Sequence, residues 1–172
     1  MNPVPLRFGI LTVSDRSARG ERADLSGPAL AEAVAGQGWA VVRQAIVPDE
    51  MDQIQERLRA WCDDGEIDVL LTTGGTGFAP RDVTPEATLA VIQRQAPGLG
   101  EAMRAASLSV TPHAMLSRAT AGIRHHTLIV NLPGSPKAAL ENYQVILPVL
   151  AHAVQLLRED PGAEEGHLHS GR

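Results

Sequence analysis

The chain has 172 residues and a formal net charge of −5 at pH 7, with 44% hydrophobic, 20% charged and only 3% aromatic residues. These proportions exclude a fibrous or disordered chain, and the length suits one domain over residues 1–160 with its own core. An acidic chain poor in aromatic rings also argues against broad nucleic-acid contact, so any anionic partner has to be held locally.

Residues 8–13 are an almost unbroken apolar run, the pattern of a strand buried on both faces. The polar stretch that follows, from Ser14-Asp15-Arg16 to Asp24, reads as a loop. Ser26 is then the expected N-cap of a helix with Pro28 in its first turn, ending near Gly36 or Gly38. Residues 40–47 read as a second strand. After Pro48-Asp49-Glu50, the apolar positions Met51, Ile54, Leu58 and Trp61 have helical spacing, and Gly65 closes that segment. Residues 69–73 form a third buried strand that runs straight into Gly74-Gly75-Thr76-Gly77.

Thr84-Pro85 predicts a helix reaching about Gln95, and residues 98–109 a further helix bounded by Pro97 and Pro112. Two short strands, 119–123 and 127–132, flank Arg124-His125-His126 and read as antiparallel neighbours. Pro133-Gly134-Ser135-Pro136 opens a long helix that Pro148 must start, kink or split, and residues 161–172 read as a disordered tail. Alternation of strands and helices predicts a three-layer α/β/α sandwich around a mostly parallel sheet with a short antiparallel edge.

Cys62 is the only cysteine, so an internal disulfide is impossible and a cytoplasmic location is expected. The first residues are short and proline-broken, unlike a secretory signal, and no apolar run approaches the roughly 20 residues that span a bilayer. Among the histidines, neither His125-His126 nor the isolated His113 and His152 have zinc-ligand spacing.

Three strand ends lead into polar loops: Ser14-Asp15-Arg16, residues 73–82, and residues 131–137. Ligands of open α/β sheets sit at the carboxyl ends of strands, so these loops are expected to share one crevice. Thr73 and Thr76 flank Gly74, Gly75 and Gly77, which can bring backbone N–H groups close to an anion, although a tight turn without a ligand has the same composition. Arg81 can grip phosphate oxygens while the adjacent Asp82 holds Mg²⁺, with Asp49 a second carboxylate or else a helix N-cap. Asp82 can equally pair with Arg81. Lys137, the only lysine, falls in a helix first turn after Pro133-Gly134-Ser135, where it either adds a point charge for an anion or is simply a surface residue.

The string from Thr72 to Ala87, with Gly74-Gly75-Thr76-Gly77 and Arg81-Asp82-Val83-Thr84-Pro85, resembles the signature of molybdenum cofactor biosynthesis proteins of the molybdopterin adenylyltransferase type. The likeness runs from about Arg7 to Arg158 and includes Pro48-Asp49-Glu50 and Leu132-Pro133-Gly134-Ser135-Pro136-Lys137. It extends to gephyrin-like proteins and to molybdate-inserting and competence-damage-type proteins, the last two of which usually vary the Gly-Gly-Thr-Gly or Arg-Asp-Val-Thr portions. The resemblance implies transfer of AMP from Mg-ATP to the terminal phosphate of molybdopterin. Asp49 and Asp82 would be the catalytic and Mg²⁺-binding acids. Ser14, Asp15, Thr73, Gly74, Gly75, Thr76, Gly77, Arg81, Pro133, Gly134, Ser135 and Lys137 would be the substrate-binding set. It also implies a homotrimer or hexamer, with contacts to other cofactor-biosynthesis enzymes. A non-catalytic molybdopterin carrier and a scaffold domain remain the alternatives.

Overall fold

A computed structural model describes residues 5–161, so the segment read as a tail lies, from residue 162 onward, outside the described residues. Six strands form one sheet: β1 (Arg7–Val13), β2 (Ala40–Val47), β3 (Val69–Thr73), β4 (Arg94–Gln95), β5 (Ala121–Arg124) and β6 (Thr127–Leu132), in the order β2-β1-β3-β6-β5-β4. The first four in that order are parallel, and β5 and β4 add an antiparallel edge.

Alternation along each central strand feeds two separate cores. Phe8 and Ile10, Val69 and Leu71, and Leu128 and Val130 pack on one face with Leu30 and Val34 of α2 (Ser26–Ala35), Met103 of α5 (Pro97–Leu108) and Tyr143, Ile146 and Leu150 of α6 (Pro136–Leu157). Leu11 and Val13, Leu70 and Ile129 pack on the other with Ile54, Leu58 and Trp61 of α3 (Met51–Asp63) and Ala87 and Val91 of α4 (Thr84–Val91). Helices cover both faces of the sheet, as a buried parallel sheet requires. No helix of the described residues is long and apolar enough to cross a membrane.

Several local expectations are corrected. The stretch after β1 is not all loop: α1 (Asp15–Ala18) is one turn, with Ser14 Oγ accepting from the Ser17 N–H at 3.2 Å. Ser26 does not cap α2. Asp24 does that work, its carboxylate accepting from the Gly27 N–H at 3.0 Å and the Ser26 hydroxyl at 3.3 Å. The helix from Thr84 stops at Val91, where Ile92 turns extended (φ −71°, ψ 151°), and Arg94–Gln95 pairs with β5 as an edge strand. Pro97 sits inside the first turn of α5, Pro112 opens a short 3₁₀ helix (Pro112–Leu116), and the strand expected at 119–123 is Ala121–Arg124. Pro148 neither starts nor splits α6, which continues through it to Leu157. The carbonyl that loses its helical bond there belongs to Gln144, an exposed residue.

Candidate functional site

β1 lies between β2 and β3, so the chain reverses its direction of travel across the sheet there, and a crevice opens at the carboxyl ends of the strands. A cavity of about 410 Å³ occupies it. Thr12, Val13 and Ser14 come from the end of β1, Thr73, Gly74 and Gly75 from the end of β3, and Gly134, Ser135 and Pro136 from the turn into α6. Asp49, just beyond β2, and Asp82, in the loop before α4, complete the far wall.

The glycine turn is forced by its surroundings. Gly74 and Gly75 have φ of 104° and 67°, and a Cβ would lie 2.3 Å from the Val13 carbonyl oxygen at Gly74 and 2.3 Å from Thr84 Oγ1 at Gly75. The Thr84 hydroxyl donates to the Gly74 carbonyl at 2.9 Å, and the Thr73 hydroxyl to the Pro133 carbonyl at 2.7 Å. Thus the loop after β3 is bonded to both α4 and the turn after β6.

Asp49 is not a helix cap, since Glu50 holds that position in α3 without a side-chain bond. Instead Asp15 and Asp49 exchange bonds: the Asp15 N–H donates to Asp49 Oδ2 at 2.8 Å, and the Asp49 N–H to Asp15 Oδ1 at 3.0 Å. Burial raises the Asp49 pKa above the ordinary carboxylate value; the charges of Asp15 and Asp82 push it further up, against the Asp15 N–H and Arg81. Asp15 moves the other way, held down chiefly by its hydrogen bond to Arg81.

The alternative of an Asp82–Arg81 pair is not realised. Arg81 binds Asp15 through Nε and a terminal nitrogen, at 2.5 and 3.0 Å, and Glu50 at 2.7 Å, while Asp82 Oδ2 accepts from the Ala79 N–H at 3.0 Å. With two carboxylates already on it, Arg81 does not line the cavity and is not poised to grip phosphate. Asp15 likewise sits behind the wall, ordering Asp49. Lys137 is 81% exposed, its nearest acid is Glu141 at 3.9 Å, and it does not line the cavity. Thr76, Gly77 and Pro133 line an adjoining cavity of about 400 Å³, with Phe78, Val110 and Leu116 on its apolar wall. The expected single crevice is therefore two neighbouring hollows that share the loop after β3.

Two participants have no signal in local sequence pattern. Arg118 donates through Nε to the Gly77 carbonyl at 2.7 Å and through a terminal nitrogen to the Asp82 carbonyl at 2.5 Å, and it also pairs with Glu86. Its backbone N–H holds the Thr76 carbonyl at 2.9 Å. The segment from Thr76 to Asp82 is thus clamped by one arginine more than 30 residues away in sequence. Arg22 lines the first cavity from the loop before α2.

Among the described residues no cluster of three or more His, Cys, Asp or Glu side chains could hold a metal by itself. Asp49 and Asp82 nonetheless fit a divalent cation shared with substrate oxygens: each uses Oδ2 for a backbone N–H and leaves Oδ1 outside those bonds, and their charges interact.

Sheet order, crevice and glycine turn define an open α/β domain with a binding hollow at its topological switch point. The chain belongs to the molybdopterin-binding domain family: the family described as "Probable molybdopterin binding domain" matches residues 9–152. It is 44% identical over 154 residues to the molybdopterin adenylyltransferase of Helicobacter pylori strain J99, covering 88% of each chain. It is 47% identical over 157 residues to the molybdenum cofactor synthesis protein cinnamon of Drosophila melanogaster and 41% over 174 residues to gephyrin of Dictyostelium discoideum, spanning only 26% and 24% of those longer chains. The crystal structure of the molybdopterin biosynthesis enzyme MoaB of Thermus thermophilus superposes with a TM-score of 0.85 at 51% identity, covering 91% of this chain and 98% of that one.

Proposed function

We propose that the chain is a molybdopterin adenylyltransferase in molybdenum cofactor biosynthesis. The observation that carries the reading is the meeting of Asp49 and Asp82 with the Gly74-Gly75 turn and the Gly134-Ser135 turn in one cavity. The relative that matches 88% of this chain and bears that activity in its name supports it. A phosphate oxygen of molybdopterin attacks the α-phosphorus of ATP, the bond to the β-phosphate oxygen breaks, and pyrophosphate leaves. The attacking phosphate is already anionic near neutral pH, so no residue is needed to remove a proton.

The protein's task is then to hold two polyanions in line, and positioning with electrostatic stabilisation supplies the catalysis. The Gly75 N–H and the start of α6, capped by Ser135, would be the backbone donors toward the incoming charge, since the Gly74 N–H is already held by the Leu132 carbonyl at 3.1 Å. Asp49 and Asp82 would hold Mg²⁺, which when bound offsets phosphate charge. Arg81 and Asp15 order Asp49, and Arg118 orders the loop that carries Asp82. Lys137 acts only if its side chain swings inward from solvent.

The proposal includes residues 1–160 acting as one unit, a cytoplasmic location, a trimer or a hexamer of trimers, and substrate handed on among cofactor-biosynthesis enzymes; family likeness supports these parts. Incubating the protein with molybdopterin, ATP and Mg²⁺ tests the activity. Adenylylated molybdopterin and pyrophosphate are expected, whereas tight binding without product would make the chain a carrier.

A further inference from the structure

We infer that Arg22 is the phosphate-gripping cation of the first cavity, binding a phosphoryl group of one of the two substrates. The inference rests on the adenylyltransferase reading and adds a residue to it. Three carboxylates line this cavity, Asp24, Asp49 and Asp82, and Arg22 is the only cationic side chain among its lining residues. Even with a divalent cation on Asp49 and Asp82, the Asp24 carboxylate leaves the hollow unfavourable for a polyphosphate unless a further positive group faces it. Neither basic residue of the signature string and its flanking turn does so: Arg81 is held by Asp15 and Glu50, and neither it nor Lys137 lines the cavity, which the exposed Arg22 does.

The surroundings of Arg22 keep its guanidinium available. On one side, the Glu21 N–H is bonded to the Arg16 carbonyl at 2.9 Å, and the Glu21 carboxylate is occupied by Arg19 at 2.8 and 3.1 Å. On the other, both oxygens of Asp24 are taken, by the Thr12 hydroxyl at 2.7 Å and by Gly27 and Ser26. The loop is therefore pinned on each side of Arg22 while both nearby acids are engaged elsewhere. Arg22 itself makes no hydrogen bond or ion pair among the described residues. A planar guanidinium in that position can meet two phosphate oxygens at once, a geometry an ammonium cannot copy.

The test compares wild type with Arg22→Ala and Arg22→Lys in the full chain. Steady-state adenylyl transfer is measured with ATP varied at saturating molybdopterin, and the reverse. Calorimetry gives the dissociation constants of ATP and of molybdopterin separately. Arg22→Ala is expected to raise KM and Kd for one substrate about tenfold, with kcat within about twofold, and Arg22→Lys to recover part of the loss. A rise for ATP assigns the nucleotide phosphates, and a rise for molybdopterin assigns its monophosphate. Unchanged constants for both ligands in a folded Arg22→Ala overturn the inference, as does a fall in kcat alone. If wild type binds both ligands and makes no product, the transferase reading fails while the calorimetric comparison still decides Arg22. Binding of neither ligand to wild type overturns both.

Discussion

Asp49 keeps a carboxylate where the surroundings disfavour its charge, and that conflict is measurable. Its folded pKa is raised above the ordinary 3.8, so its contribution to stability is complete below that value and is lost as pH rises through the folded value. At pH 7 the charge is therefore a net burden on the fold. Asp49→Asn keeps an acceptor for the Asp15 N–H, and is expected to leave Tm at pH 7 equal to or above wild type. Turnover should fall about 10²–10³-fold, the scale of losing one electrostatic transition-state contact. Asp82→Asn should match it in rate, and wild-type product formation in both variants would remove these acids from catalysis. Gly75 is constrained differently. Gly75→Ala places a Cβ 2.3 Å from Thr84 Oγ1 on a backbone with φ 67°, so chemical denaturation should show a loss of about 2 kcal/mol. A neutral result would mean that the turn relaxes freely.

The central strands β1 and β3 could be read from their unbroken apolar runs, α3 from the helical spacing of Met51, Ile54, Leu58 and Trp61, and α2 and α6 from the cap and proline signals at their starts. The pieces that escaped are those whose conformation is set by a partner. Arg94–Gln95 continues a polar helical pattern and becomes a strand only because β5 offers it an edge, though Pro97 already biased Ala96 toward extended backbone. Ser14-Asp15 carried a cap signal that a purely polar reading passed over. For the site, the glycine turn, Asp49 and Asp82 were visible as motifs, whereas the roles of Arg81, Arg118 and Arg22 depend on which carboxylates or carbonyls tertiary folding brings near. α6 carries a test of its own. Tyr143 is fully buried with its hydroxyl unpartnered among the described residues, and burial pushes its pKa up to about 12. Tyr143→Phe is expected to gain about 1 kcal/mol in stability, while a loss would reveal a bound water at that oxygen.

At the scale of the molecule, one acid fastens the end of the sheet opposite the crevice. Asp68, buried just before β3, receives the Arg7 backbone N–H at 2.8 Å and side-chain bonds from Arg7 at 3.1 Å and Arg158 at 2.7 Å. Burial alone would raise its pKa, but the hydrogen bonds from Arg7 and Arg158 outweigh it and hold the carboxyl below the ordinary value of 3.8. A depressed carboxyl contributes stability that is present above its ordinary pKa and lost as pH falls through the folded value. Asp68→Ala should therefore cost about 3 kcal/mol at pH 7 and flatten the acid limb of the stability profile below about pH 4. Equal pH profiles for variant and wild type would rule this out. Since Arg7 opens the first strand and Arg158 follows the last helix, one carboxylate gathers the first and last elements of the described fold. The binding hollow lies a strand's length away, about 3.3 Å per residue along the five residues of β3. Such a layout behaves like a cartridge with both leads at its base: it can be spliced into a longer polypeptide without threading a linker past the working face. Chains in which the matching region is only about a quarter of the whole fit that geometry.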